Sequence, residues 1–342
     1  MHGQPPRLIP RSDGYAAVQR HLSQGWNTWD VNSVATQVFL PEGLAIQIGI
    51  KHRTTLASES FLSRALIGRQ EPGAEQVVPG PHAYDGSYTD LRISWRGHNM
   101  RVQSAHDGKD LVLLVTPLTS EHPGTVSPAI VFSVSFLWQR EGSVTKLGNR
   151  INTHGKSGDL PIFLIGTDNL STDVPVSGSY FCAAFERPAA ISTGKRRTLQ
   201  EIQSIIERQH ALYIASNARN GVQSATADAI QTVIGWDTIF EPEQERVISP
   251  VSRIWSVGWG GYVLFDWDTF FAASLAAIGD RDLAYANAIE TLRESTSEGF
   301  VGNFARAGGW KSFDRSEPPV GAITVLDLYR RFHDRWFLNR ST

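Results

Sequence analysis

One stretch concentrates side chains that could do chemistry. Ser252–Phe271 reads SRIWSVGWGGYVLFDWDTFF and sets Arg253, Trp255, Trp259, Phe265, Trp267, Phe270 and Phe271 around two acids, Asp266 and Asp268. An Asp at a helix start accepts backbone N–H groups and suits the helix dipole. Capping accounts for one such acid, but not for two acids within a run of aromatic residues. Aromatic walls beside a carboxylate suit a sugar: C–H faces stack on rings while the acid accepts hydroxyl protons.

A second polar and aromatic cluster lies in GFVGNFARAGGWKSFDRSEPPVGAITVLDLY, residues 299–329. Asn303, Arg306, Trp310, Asp314, Arg315 and Glu317 share what reads as a loop, the usual place for binding groups. Gly308 and Gly309 permit a tight path, and Pro318 and Pro319 stiffen the entry to a helix. An exposed Asp314–Arg315 pair without function is the plain alternative.

The elements that must hold these residues are helical. Trp267–Ile278 is apolar nearly all round, which predicts burial on most sides. Arg281–Ser295 and Ala322–Phe332 are the next helices, and the short Gly279 turn predicts a hairpin. Upstream, Thr198 and Glu201 form a capping box for Leu199–Asn217, whose apolar stripe is helical. A further helix is expected at Ser224–Ile234.

The first half reads as strands. Val34–Leu40 and Leu44–Ile50 flank Pro41-Glu42-Gly43, a hairpin connection. Leu91–Trp95, Met100–Ala105, Leu111–Thr116, Ala129–Trp138, Pro161–Ile165 and Tyr180–Phe185 continue the pattern, with turn residues between. Many short strands without intervening helices predict an antiparallel β-sandwich. The Pro- and Gly-rich Arg69–Gly86 reads as a long surface loop. The expected division is a β-sandwich over 1–193, a linker helix over 194–222, and helical hairpins over 223–342.

FDWDTFF and GFVGNFARAGGWKSFDRSEPPVGA together resemble the six-hairpin glycosidases. The similarity is to bacterial and fungal relatives of family 63 glucosidases and of mannosylglycerate and glucosylglycerate hydrolases; trehalases are more distant. It is strongest over about 225–335 and weaker over 20–50. The resemblance implies a β-sandwich followed by the start of an (α/α)6 barrel, and hydrolysis of an α-glycosidic bond with inversion. It implies that Trp267 and Asp268 hold the glycone hydroxyls. Ser316-Glu317-Pro318-Pro319 matches a motif whose second residue is normally a Gln bonded to the sugar; Glu317 accepts but, when ionised, cannot donate. Trp255, Trp259 and Trp310 would line the mouth, and Phe265, Asn303 and Arg253 are further candidate substrate-binding residues. Inverting relatives use two carboxyls about 6.5–9.5 Å apart. Their acid motif, of the type E-S-G-x-D-N-S-P, is not found before Thr342, so the chain reads as C-terminally truncated and inactive alone. A non-catalytic carbohydrate-binding protein or pseudoenzyme is one alternative; an enzyme using Asp268 and Glu317 as its own acid and base is another.

Composition limits other readings. The net charge is −2 from 32 basic and 34 acidic residues, so nothing global attracts nucleic acid or an anionic membrane. Cys182 is the only cysteine, which excludes an internal disulfide and a thiolate metal cluster. No cofactor is expected. Calcium loops at Asp85-Gly86-Ser87 or Asp107-Gly108-Lys109-Asp110 are better explained as turns. The N-terminus lacks the apolar run of a secretory signal, and no stretch reaches membrane-spanning length, so a cytoplasmic location is expected. The expected partner is a carbohydrate of the α-glucoside or α-mannoside class.

Overall fold

The computed structural model describes residues 13–53, 60–119, 128–255 and 261–341. Mixed β and α structure results, with two large antiparallel sheets and several helices. Helix α1 spans Asp13–Leu22. Strands follow as β1 (Gly25–Asn27), β2 (Thr36–Leu40), β3 (Leu44–His52), β4 (Phe61–Leu62), β5 (Gln76–His82), β6 (Tyr88–Trp95) and β7 (His98–Asp107). They continue as β8 (Asp110–Leu118), β9 (Pro128–Phe136), β10 (Ser143–Leu147), β11 (Arg150–Gly155), β12 (Gly158–Ile165), β13 (Ser179–Ala184) and β14 (Ala189–Thr193). One sheet runs β1-β2-β3-β9-β13, with β4 also on β3; the other runs β10-β11-β12-β14-β8-β7-β6-β5. The β2–β3 hairpin turns at Pro41-Glu42-Gly43 as its sequence predicts, with Gly43 at φ +75°.

The expected surface loop at Arg69–Gly86 is corrected in part. Gln76–His82 forms β5 despite Pro79 and Pro81. β5 is the outermost strand of its sheet, where a missing N–H leaves no ladder partner unsatisfied, and its register shifts between Pro79 and His82.

Helix α2 (Leu199–Ala218) starts at the Thr198–Glu201 capping box, both halves of which are made. Read from sequence as a linker, it packs Ile202, Ile205, Ile206 and Tyr213 onto Tyr88, Ala105, Val112 and Leu114 of the eight-stranded sheet. Helix α3 spans Ser224–Asp237. By contacts, residues 25–228 form one compact unit, and 13–24 with 229–341 form the other. The second grouping differs from the sequence division because α1 packs on helices near the other end of the chain.

The second unit contains β15 (Ile239–Glu241), β16 (Arg246–Ile248), β17 (Val263–Phe265), α4 (Asp266–Ala276), α5 (Arg281–Arg293), β18 (Phe304–Arg306), β19 (Trp310–Lys311), α6 (Gly321–Phe332) and α7 (Arg335–Ser341). α4 and α5 join through a short turn, and Asp280 caps α5 by accepting the Leu283 N–H at 2.8 Å. α6 approaches α4 closely: a Cβ at Gly321 would lie 2.7 Å from the Phe270 ring. Nearly all-round burial of α4 is not what the packing gives. Phe270, Ala273 and Ala276 are buried, whereas Trp267, Phe271, Leu275 and Ile278 form a part-exposed stripe on one side.

Beneath these helices lies a buried ion network. The Arg246 guanidinium donates to Glu241, to Glu290 at 3.1 Å and to Glu294 at 2.9 Å. Glu290 also accepts from Tyr15 at 2.6 Å and Arg293 at 2.8 Å. Lys311 pairs with Glu294 at 3.1 Å, and Tyr262 donates to Glu241. The network ties α1, β16 and α5 to the two strands that border the candidate site, since Tyr262 precedes β17 and Lys311 ends β19.

Candidate functional site

Strand β17 delivers the chain directly into α4, so the first turn of that helix sits at the edge of a three-stranded sheet, β17-β18-β19. Phe265 is the N-cap residue and offers no capping side chain. The orphan N–H groups are served from elsewhere in the sequence. The Trp267 N–H donates to Glu317 Oε2 at 3.0 Å, and the Asp266 N–H to the Asn303 carbonyl at 3.3 Å. Asn303 in turn donates its N–H to the Arg315 carbonyl at 2.9 Å. Backbones meet closely here: a Cβ at Gly302 would lie 2.5 Å from the Ser312 carbonyl. The two sequence clusters are thereby brought to one helix end.

Three carboxyls share that end, and they differ in setting. Asp266 is buried at 5% exposure. Burial, then the neighbouring charge of Glu317, pushes its carboxyl up to about 6, against the pull of the Glu317 N–H. Burial also raises Glu317, helped by the charge of Asp268 and opposed by the Trp267 N–H. Asp268 is half-buried. An ionised Glu317 at this position accepts a backbone donor and faces the positive end of the helix, work for which a carboxylate suits better than an amide.

Aromatic rings border the same helix start. Trp255 meets Phe265 edge-on at 5.0 Å between centroids, and Trp267 lies 6.1 Å from Phe271. Trp255 is 51% exposed and Trp267 38%. Trp310 is exposed on β19, with the Arg306 guanidinium 5.2 Å from its ring centre. Asp314 and Arg315 form an exposed pair at 2.5 Å. Trp259 lies outside the described residues.

Arg253, expected among the substrate-binding residues, has its guanidinium engaged elsewhere. It is buried, donating to the Trp236 carbonyl at 2.6 Å and the Thr238 carbonyl at 3.0 Å, where it closes the end of α3. Beside it, burial pushes the Asp237 carboxyl up to about 7 against the attraction of Arg253. Sequence reasoning passed over Asp266 in favour of Asp268. The signal was its position directly after the apolar strand VLF, which puts it at a strand–helix junction inside the core.

The raised Asp266 carboxyl has a stability consequence. An unfolded Asp takes up its proton near 3.8, the folded one near 6. The folded state therefore binds more protons between those values, and this group's contribution falls as pH rises through that window. Asp266→Asn removes the ionisation but keeps an acceptor for the Glu317 N–H. Denaturant unfolding should find the variant's relative stability growing from pH 4 to 6, to a plateau of at most about 3 kcal/mol. A flat difference across that range would contradict the assignment.

No family model matches the chain, and no curated protein matches it. Among solved structures, one described as "Putative kojibiose phosphorylase from human microbiome" aligns at 7% identity with a TM-score of 0.34. The alignment covers 88% of this chain and 49% of that one, so the chain spans about half the length of that protein. The likeness is too distant to fix fold or chemistry. Among the described residues, no helix is long and apolar enough to cross a membrane, and no cluster of three or more His, Cys, Asp or Glu side chains has metal-binding geometry.

Proposed function

We propose that this chain carries the glycone-binding part of a glycoside hydrolase-like protein acting on α-glucosides or α-mannosides. The two large sheets would stack as a β-sandwich, and α3–α6 would form the opening hairpins of an (α/α)6 barrel. Trp267 and Trp255 would stack on the sugar's C–H faces, Asp268 would accept glycone hydroxyl protons, and Trp310 would extend the rim. Glu317 and Asp266 would shape the site rather than transfer protons. Glu317 accepts the Trp267 N–H at the helix start, a bond that suits a positioning role.

The observation that carries this reading is the Glu317–Trp267 bond. It joins two sugar-type sequence clusters, 50 positions apart, at one helix end with exposed indoles beside it. The test is saturation-transfer NMR of the whole chain with methyl α-glucoside, methyl α-mannoside and glucosylglycerate. Transfer from the protein to ring protons of at least one ligand is expected, and its loss in Trp267→Ala. No transfer to any of the three, or transfer unchanged in the variant, would oppose the proposal.

A further inference from the structure

His52, half-buried, and His98, buried at 7% exposure, are two groups for which the proposed site has no use. His52 ends β3 in one large sheet, and His98 begins β7 in the other. Their rings meet edge-to-face at 5.3 Å between centroids. His52 also lies 5.0 Å from the Trp95 ring, and His98 lies 5.6 Å from Phe185. The Nε2 atoms of both histidines are buried and bonded to nothing among the described residues. The register of this corner is fixed. Trp95 and His98 are the last pair of the β6–β7 hairpin, closed by Arg96 at φ +49° and Gly97 at φ +80°. Positive φ at both central residues is what a two-residue hairpin turn with the right twist demands.

Two unsatisfied imidazole nitrogens could take a metal ion or a proton, and the surrounding charge decides between them. Arg96 from the hairpin turn and Lys51 from β3 both act on His52; the Arg96 guanidinium stands 4.9 Å from the Trp95 ring centre. Among the described residues, the titratable groups acting on His52 are His98, Arg96 and Lys51, all of which disfavour its protonation. Among the described residues a divalent cation would meet two positive side chains and two ligands, fewer than structural metal sites supply. The neutral pair is tolerated among aromatic rings; a charged one finds no acceptor for either Nε2 among the described residues.

We propose that the His52–His98 contact is an acid-sensitive joint between the two sheets, closed while both imidazoles are neutral and forced apart when either is protonated. Burial is the first cause holding both rings below the ordinary histidine range; for His52 the charges of His98, Arg96 and Lys51 add to it. The sign follows. An unfolded histidine takes up its proton near 6.5, before the folded one does. The stability from the neutral pair is complete above that pH and is lost as pH falls below it.

The test uses the whole chain. Histidine-selective NMR from pH 8 to 4.5 follows each ring, while thermal unfolding at pH 7.5 and 5.0 compares wild type with His98→Phe. Both rings should titrate below pH 6.5. The wild-type melting temperature should fall on acidification by about 3 °C or more beyond the fall in the variant. Equal falls, or rings titrating at 6.5 or above, would overturn the joint. So would one equivalent of zinc chloride raising the wild-type melting temperature, which would make the pair a metal site. If His98→Phe does not fold, His52→Gln takes its place, and the wild-type NMR titration decides alone.

Discussion

Arg246→Ala will destabilise the helical unit by about 3–5 kcal/mol, the range for breaking a buried ion pair by removing one partner. Arg246 is 2% exposed and holds three carboxylates from two elements. Burial alone would raise the Glu290 carboxyl, but Arg246 and Arg293, with the Tyr15 hydroxyl, more than offset that and hold it below its usual range. Without Arg246, Arg293 stays on Glu290 and Lys311 on Glu294, while Glu241 loses its guanidinium partner and keeps the Tyr262 hydroxyl. Arg246→Lys should rescue little, since one ammonium cannot present the fork that serves three acceptors. Urea unfolding at pH 7, followed by far-ultraviolet circular dichroism, measures the loss. A change below about 1 kcal/mol would mean that the network tolerates an uncompensated charge, against the burial on which the argument rests.

Asp268→Ala will weaken glycoside binding about a hundredfold, with little loss of stability. Charged hydrogen bonds contribute roughly 1.5–3 kcal/mol each, and two to vicinal hydroxyls would reach that factor. In the first turn of α4 the same carboxylate gains only about 0.3–1 kcal/mol from the helix dipole. Titration calorimetry of wild type and variant, beside their melting temperatures, separates the roles. Normal affinity with a lowered melting temperature would leave Asp268 as a helix-dipole residue alone.

Much of the framework was legible because its signals are local. The Thr198–Glu201 box fixed the start of α2, and the apolar runs around Val131, Leu113 and Ile46 marked β9, β8 and β3 within a few residues. What escaped depends on partners distant in sequence. α1 is a ten-residue amphipathic helix whose Tyr15 and Gln19 find their partners at Glu290 and Val247, more than 220 positions away. β5 hid behind two prolines that only an edge position tolerates. β10 and β11 are largely polar, and their pairing rather than their composition makes them strands. Trp267, Asp268 and Glu317 were visible as residue types, and the helix end brings them together. The capping bond of Glu317, the burial of Asp266 and the carbonyl-binding role of Arg253 were not visible, because each is set by packing between segments rather than by spacing along one.

The central claim is that the start of α4 holds a sugar. It is tested most directly by tryptophan-selective NMR of the indole N–H groups during titration with methyl α-glucoside and methyl α-mannoside. Saturable shifts at Trp267 and Trp255 are predicted for at least one ligand, with the buried Trp26, Trp29 and Trp236 unmoved. An absence of shifts at Trp267 and Trp255 with both sugars, or shifts confined to other indoles, would contradict the claim.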